Sequence, residues 1–294
     1  MRARQAGIVV AAAAGATVAT AAAAKKARSA RPATRTGTFG SGMRYARLGY
    51  GPRSLLGAFQ SQRFPADVRE FVRGGVSDGA PGRMRAMEVA EGILWVDGIR
   101  WSNVYVVVTE DGLVLVDTGA GFVGSIRHIL RAIEATGHRP SDVRDIVLTH
   151  YDADHVGGLA AIKARTGARV AIHELDAPVV MKKEPPGARM PLLVRVIYRW
   201  FLRAVTPDRL LKDGDVVGGL RVVHVPGHTA GSIALVRDDG AVFSGDALLA
   251  DKDGNALQPD PKLAEDPDQA ADSAERIKAL HPKPLLPGHG APSR

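Results

Sequence analysis

The chain has 294 residues, enough for one large domain or two small ones. Hydrophobic residues make up 45% and cysteine is absent, so a real core is available, while disulfides, thiolate nucleophiles and Cys-ligated zinc are excluded. The net charge is +8, but Arg2, Arg4, Lys25, Lys26, Arg28, Arg31 and Arg35 carry seven of those charges with no acid among them; the rest carries +1, which argues against a nucleic-acid partner.

Residues 1–36 read as a leader: basic "MRARQ", then uncharged Ala6 to Ala24, then basic "KKARSARPATR". This is the pattern of a signal peptide or N-terminal anchor with a basic linker, and it predicts an exported or membrane-associated protein. A cytoplasmic chain with an Ala-rich N-terminus is the alternative. Residues 37–90 are broken by Gly and Pro and read as an extension packed on the body.

From residue 91 the pattern sharpens. "GILWVDG" alternates as a strand, and "SNVYVVVTEDGLVLVDTG" reads as a hairpin around Glu-Asp-Gly. "GFVGSIRHILRAIEATG" is a helix, with Ile126, Ile129, Leu130 and Ile133 on one side and Gly137 ending it. "VRDIVLTH" is a strand running to His150, "GGLAAIKARTG" a helix and "ARVAIHE" a strand. Residues 175–208 form an insert whose "MPLLVRVIYRWFLRAV" predicts a helix with Arg195, Arg199 and Arg203 on one face. "GLRVVHVPGHTAGSIALVRDDGAVFSGDALL" gives three strands, "DPDQAADSAERIKALHP" a helix, and "KPLLPGHG" a last strand and loop. Strands in two blocks, with helices between and after them, predict an α/β fold: a four-layer αββα sandwich with its loops converging along one edge.

Metal-capable side chains recur where strands end: His150, Asp152, Asp154 and His155 in "LTHYDADHVGG", His228 in "VPGHTAGS", Asp246 in "FSGDALL" and His289 in "LLPGHG". Rigid strands fix the loops that carry them, and neighbouring glycines let the backbone turn tightly. Imidazole and carboxylate without thiolate suit zinc, iron or manganese. Seven donors are too many for one tetrahedral ion and fit two divalent ions sharing a carboxylate. His128, His138 and His281 read as surface residues, His173 and His224 as core or supporting residues. No phosphate loop, dinucleotide fingerprint or serine-hydrolase elbow is present.

Together these segments resemble the metallo-β-lactamase superfamily, in its glyoxalase-II-like and lactonase-like branch, over about residues 90–292. The resemblance implies that His150, Asp152 and His228 hold a first metal, that Asp154, His155 and His289 hold a second, and that Asp246 bridges them. Asp154 would orient the attacking water and carry its proton as the catalytic residue, and Asp117 in "LVDTG" would support the site from behind. The family's H-x-H-x-D-H reads H-Y-D-A-D-H here, with Asp152 where a second histidine is usual. A carboxylate is a legitimate zinc ligand, so Asp152→His is expected to keep a two-metal site.

The function implied is a hydrolase using two divalent ions, zinc with iron or manganese as alternatives, and cleaving an ester, lactone or thioester of a small molecule. An iron-dependent sulfur oxygenase of the same fold and a non-enzymatic binding protein are the alternatives. The chain runs only to Arg294 after "PGHG", so a helical C-terminal domain of the full glyoxalase-II type is not expected. Trp200 and Phe201 of the insert are expected to form an apolar lid, and the 190–205 helix or the N-terminus a membrane contact. Oligomeric state is left open.

Overall fold

In the computed structural model, residues 86–96, 98–99, 101–190 and 192–293 are described. The leader and residues 37–85 of the expected extension lie outside them.

Two sheets form the centre. The first runs in the order β1 (Ala86–Ala90), β2 (Ile93–Val96), β3 (Tyr105–Thr109), β4 (Gly112–Val116), β5 (Val143–Val147), β6 (Arg169–His173), β7 (Arg209–Leu211). Its first four strands are antiparallel; β4, β5, β6 and β7 then pair in parallel. The second sheet contains β8 (Val216–Val217), β9 (Leu220–His224), β10 (Ile233–Val236), β11 (Val242–Gly245) and β14 (Leu285–Pro287), in the order β14-β11-β10-β9-β8. A small ribbon pairs β12 (Leu249–Ala250) with β13 (Ala256–Leu257). The expected hairpin is β3–β4, with Thr109 opposite Gly112. The sheet starts earlier than the sequence pattern, because β1 comes from the stretch read as an extension.

The helices are α1 (Val123–Ala135), α2 (Ala153–Val156), α3 (Leu159–Thr166), α4 (Ala177–Val180), α5 (Leu192–Phe201) and α6 (Pro267–Ala279). Successive strand residues face opposite sides, and that alternation builds separate cores. Val106 and Leu115 pack outward with Ile129 and Ile133 of α1 and Leu159 and Ile162 of α3. Tyr105, Val107 and Val116 face inward onto Val222, Ile233, Leu235 and Phe243 of the other sheet. Val223, Ala234 and Val242 face outward onto Ala274 and Ile277 of α6. Three cores separate four layers, the αββα sandwich. Each fully buried Leu, Ile or Phe in them contributes roughly 1.5–3 kcal/mol.

Ile233 at the start of β10 donates its N–H to Thr149 O, 2.9 Å away, so the two sheets are tied at one edge. Glycines permit the close approach there. A Cβ on Gly157 would meet the Ala120 backbone at 2.5 Å, and one on Gly158 would meet Thr118 O at 2.3 Å. The loop after β4 and the turn before α3 therefore touch backbone to backbone. Among the described residues no helix is long and apolar enough to cross a membrane.

Candidate metal centre

The seven candidate side chains converge at the tied edge. His150 follows β5, and Asp152 precedes α2, which carries Asp154 and His155. His228 lies in the β9–β10 loop, Asp246 follows β11 and His289 follows β14. All are supplied from the C-terminal ends of strands in both sheets.

They fall into two triads. In the first, Asp152 Oδ2 is 3.2 Å from His228 Nε2 and 3.7 Å from His150 Nε2. In the second, His289 Nε2 is 3.3 Å from Asp154 Oδ2 and 3.4 Å from His155 Nε2. Asp246 reaches both: its Oδ2 lies 3.6 Å from His228 and 3.2 Å from His289, and its Oδ1 lies 3.4 Å from His155. His150 and His155 are fully buried; His289 at 34% and Asp154 at 22% side-chain exposure form the open lip of the cluster.

The carboxylates and imidazoles of the cluster set one another's charge. Burial opposes charge on Asp246, yet His289 and His155 hold its carboxyl well below the ordinary range. Burial likewise opposes charge on Asp152, where His150, His228 and Arg189 win. His289 is disfavoured as a cation by burial, but Asp246 and Asp154 push it up to about 10. Burial, helped by the charge of His155, lowers His150. The pocket thus keeps its carboxylates ionised against imidazoles held as cations, a charge balance that a bound cation could take over. His150 Nε2 and Asp246 Oδ1 are buried and have no hydrogen-bond partner, as befits donors reserved for a metal. The nitrogen and oxygen set, without sulfur, fits zinc, iron or manganese.

Asp117 stands behind the cluster at a left-handed φ of 60°, an uncommon conformation for a residue with a Cβ. Its Oδ2 is 2.8 Å from His155 Nδ1 and accepts from Thr149 Oγ1 at 2.8 Å, and Thr149 Oγ1 is in turn 3.0 Å from His150 Nδ1. The carboxylate can only accept, so Nδ1 of both imidazoles carries a proton and Nε2 is the atom turned toward the pocket; burial opposes charge on His155, but Asp246, Asp117 and Asp154 raise it well above the ordinary histidine range.

Several contributing residues were not singled out by sequence. Asn103 donates to Pro287 O at 2.9 Å and Gly290 O at 2.8 Å, clasping the loop that carries His289. Asp176 accepts from Tyr151 N, Gly231 N and Thr229 Oγ1, joining the two loops of the first triad; burial pushes its carboxyl up to about 7. Arg189 donates from Nη2 to Asp152 Oδ1 at 2.7 Å. A polar residue in "NVY" and an arginine in a Pro/Gly loop carry no periodic signal. Asn103 and Tyr151, which bonds Glu265, sit inside segments already visible, whereas Asp176 and Arg189 do not.

The insert carries Trp200 and Phe201, the residues expected to form a lid. Among its described aromatic side chains, Tyr198 is buried and Trp200 is 77% exposed. Trp200 lines a groove of about 390 Å³ with Lys182, Leu192, Arg195 and Val196, and none of the seven metal-capable residues lines it. The Phe201 side chain lies outside the described residues. His173 and His224 stack on each other at 4.2 Å.

Residues 98–289 match the family model described as the metallo-beta-lactamase superfamily, and the chain belongs to that superfamily. Its relatives include a probable metallo-hydrolase of Mycobacterium bovis, 35% identical over 225 residues, covering 61% of this chain and 69% of the relative. A hydroxyacylglutathione hydrolase of Cereibacter sphaeroides is 37% identical over 127 residues, 42% of this chain and 39% of that protein. Among solved structures, TTHA1623 in a di-iron-bound form is similar at 29% identity and a TM-score of 0.52, over 68% of this chain and 92% of that one.

Proposed function

We propose that this protein is a metal-dependent hydrolase holding two divalent ions, zinc or iron, and cleaving an ester, lactone or thioester of a small molecule. The observation that carries this reading is the pair of His/Asp triads with Asp246 between them. His150, Asp152 and His228 would hold one ion, and Asp154, His155 and His289 the other. Such ions, when bound, supply an activated water and an electrophile for the carbonyl oxygen. Asp117 and Thr149 hold Nδ1 of His155 and His150, so that Nε2 of each ring is the atom presented to an ion. Asp154 stands at the open lip with its Oδ2 beside His289, where it can take the proton of the attacking water and deliver it to the leaving group. The relative named as a metallo-hydrolase supports metal-dependent hydrolysis, the one named as a hydroxyacylglutathione hydrolase supports an acyl substrate, and the di-iron relative makes iron a competitor to zinc. Export or membrane anchoring is proposed from the leader sequence alone; N-terminal sequencing of fractionated protein checks it.

The test is a panel of lactones, thioesters, aryl esters, β-lactams and phosphodiesters offered to zinc- and iron-loaded protein, with oxygen uptake on persulfide substrates alongside. Turnover of one acyl class is expected. Oxygen consumption by the iron form without hydrolysis would establish the oxygenase alternative, and ligand binding without turnover at full loading the binding protein.

A further inference from the structure

The two oxygens of Asp152 are divided between two tasks. Oδ2 faces His228 and His150, at 3.2 and 3.7 Å. Oδ1 receives Arg189 Nη2 at 2.7 Å, and the arginine side chain is only 8% exposed. Burying a guanidinium is strongly unfavourable unless a carboxylate meets it. Asp152 is the carboxylate that Arg189 bonds, and its Nε is buried with no hydrogen-bond partner.

The insert is also built to deliver this arginine. Gly187 N donates to Tyr151 Oη at 2.9 Å, the Tyr151 hydroxyl is bonded to Glu265, and the guanidinium lies 5.9 Å from the centre of the Tyr151 ring. The loop is thereby pinned to the motif that carries Asp152 itself.

We propose that Arg189 is a positioning residue that neutralises Asp152, so that the pair presents to the first metal one donor atom and no net charge, as an imidazole would. Asp152 and Arg189 are then one functional unit, and a histidine at 152 is compatible with the site only when residue 189 is uncharged. This rests on the two-metal reading. It also reverses the sequence expectation for Asp152→His, because that substitution leaves a buried guanidinium unpaired beside a metal cation.

The test counts metal by elemental analysis after equilibration with limiting zinc and desalting, with circular dichroism confirming the fold. Wild type and Arg189→Lys should hold two ions per chain. Asp152→His should hold one, in the second triad, and Asp152→His/Arg189→Met should recover two. Equal counts in Asp152→His and the double variant would overturn the proposal. If Asp152→His does not fold, Arg189→Met alone decides. Removing a cation from beside the first ion should tighten that ion about tenfold or more, whereas a merely structural arginine would leave it unchanged or weaker. A wild type that takes up no metal removes the two-metal reading and this proposal with it, whereas a two-ion wild type without rescue removes only the proposal.

Discussion

His155 Nδ1 lies 2.8 Å from Asp117 Oδ2, and the same oxygen accepts the hydroxyl of Thr149. One carboxylate thereby sets the tautomer of His155 directly and that of His150 through Thr149. Asp117→Ala should lower metal affinity by about 10–100-fold while leaving the fold intact. Competition against a chromophoric chelator measures it; an affinity equal to wild type would show that the histidines are oriented by something else.

Asn103 is 9% exposed, accepts from Trp95 Nε1 at 2.9 Å and donates to two carbonyls of the His289 loop. Asn103→Ala leaves Trp95 Nε1 and Gly290 O without this partner, while Pro287 O keeps the Tyr105 hydroxyl. A stability loss of about 1–2 kcal/mol is expected, with weaker binding of the ion that His289 serves. Urea unfolding gives the first number and metal titration the second; a loss under about 0.5 kcal/mol would contradict the clasp.

Gly288 has no room for a side chain: a Cβ there would meet Asp246 Oδ1 at 2.2 Å and His155 Cε1 at 2.9 Å. Gly288→Ala should therefore displace the shared carboxylate and lose metal while the distant cores stay folded. Full metal occupancy in a folded Gly288→Ala protein would mean that Asp246 is not where the two triads meet.

Asp176 is 1% exposed, and burial pushes its carboxyl up to about 7 despite its three donors. The folded state therefore holds this proton more tightly than the unfolded chain. Its stabilisation is complete below about pH 4 and is lost as pH rises through about 7. Asp176→Asn removes the titration. In metal-free protein, the stability of wild type relative to Asp176→Asn should shrink by a few kcal/mol between pH 4 and 7. A constant or widening difference in urea midpoints across that range would contradict the assignment.

Strand alternation in "VYVVV" and "GLVLV" announced β3 and β4, because each residue there fills one of two cores. The seven metal-capable residues were visible because His228, Asp246 and His289 each stand beside a glycine beyond a strand and the other four crowd into the six residues 150–155 beyond β5. By contrast β1, "AMEVA", shows no clean alternation: Met87 is exposed at the sheet edge, so its burial pattern carries little signal. Arg189 was silent for another reason. Its partner is 37 residues away in the chain, and only the closing of the insert onto Tyr151 brings the pair together. The helical period of α5 drew attention to Trp200 and the arginine stripe, whereas the insert meets the metal-capable cluster through a loop residue.

Metal content with position is the most direct test of the two-metal centre. Elemental analysis of zinc- or iron-equilibrated protein, combined with anomalous scattering at the metal edge, should give two ions per chain about 3.5–4 Å apart with Asp246 touching both. Asp246→Ala should lose far more metal than Asp152→Ala. An ion count near zero, or ions lying away from the seven side chains, would contradict a dinuclear centre at this edge of the sandwich.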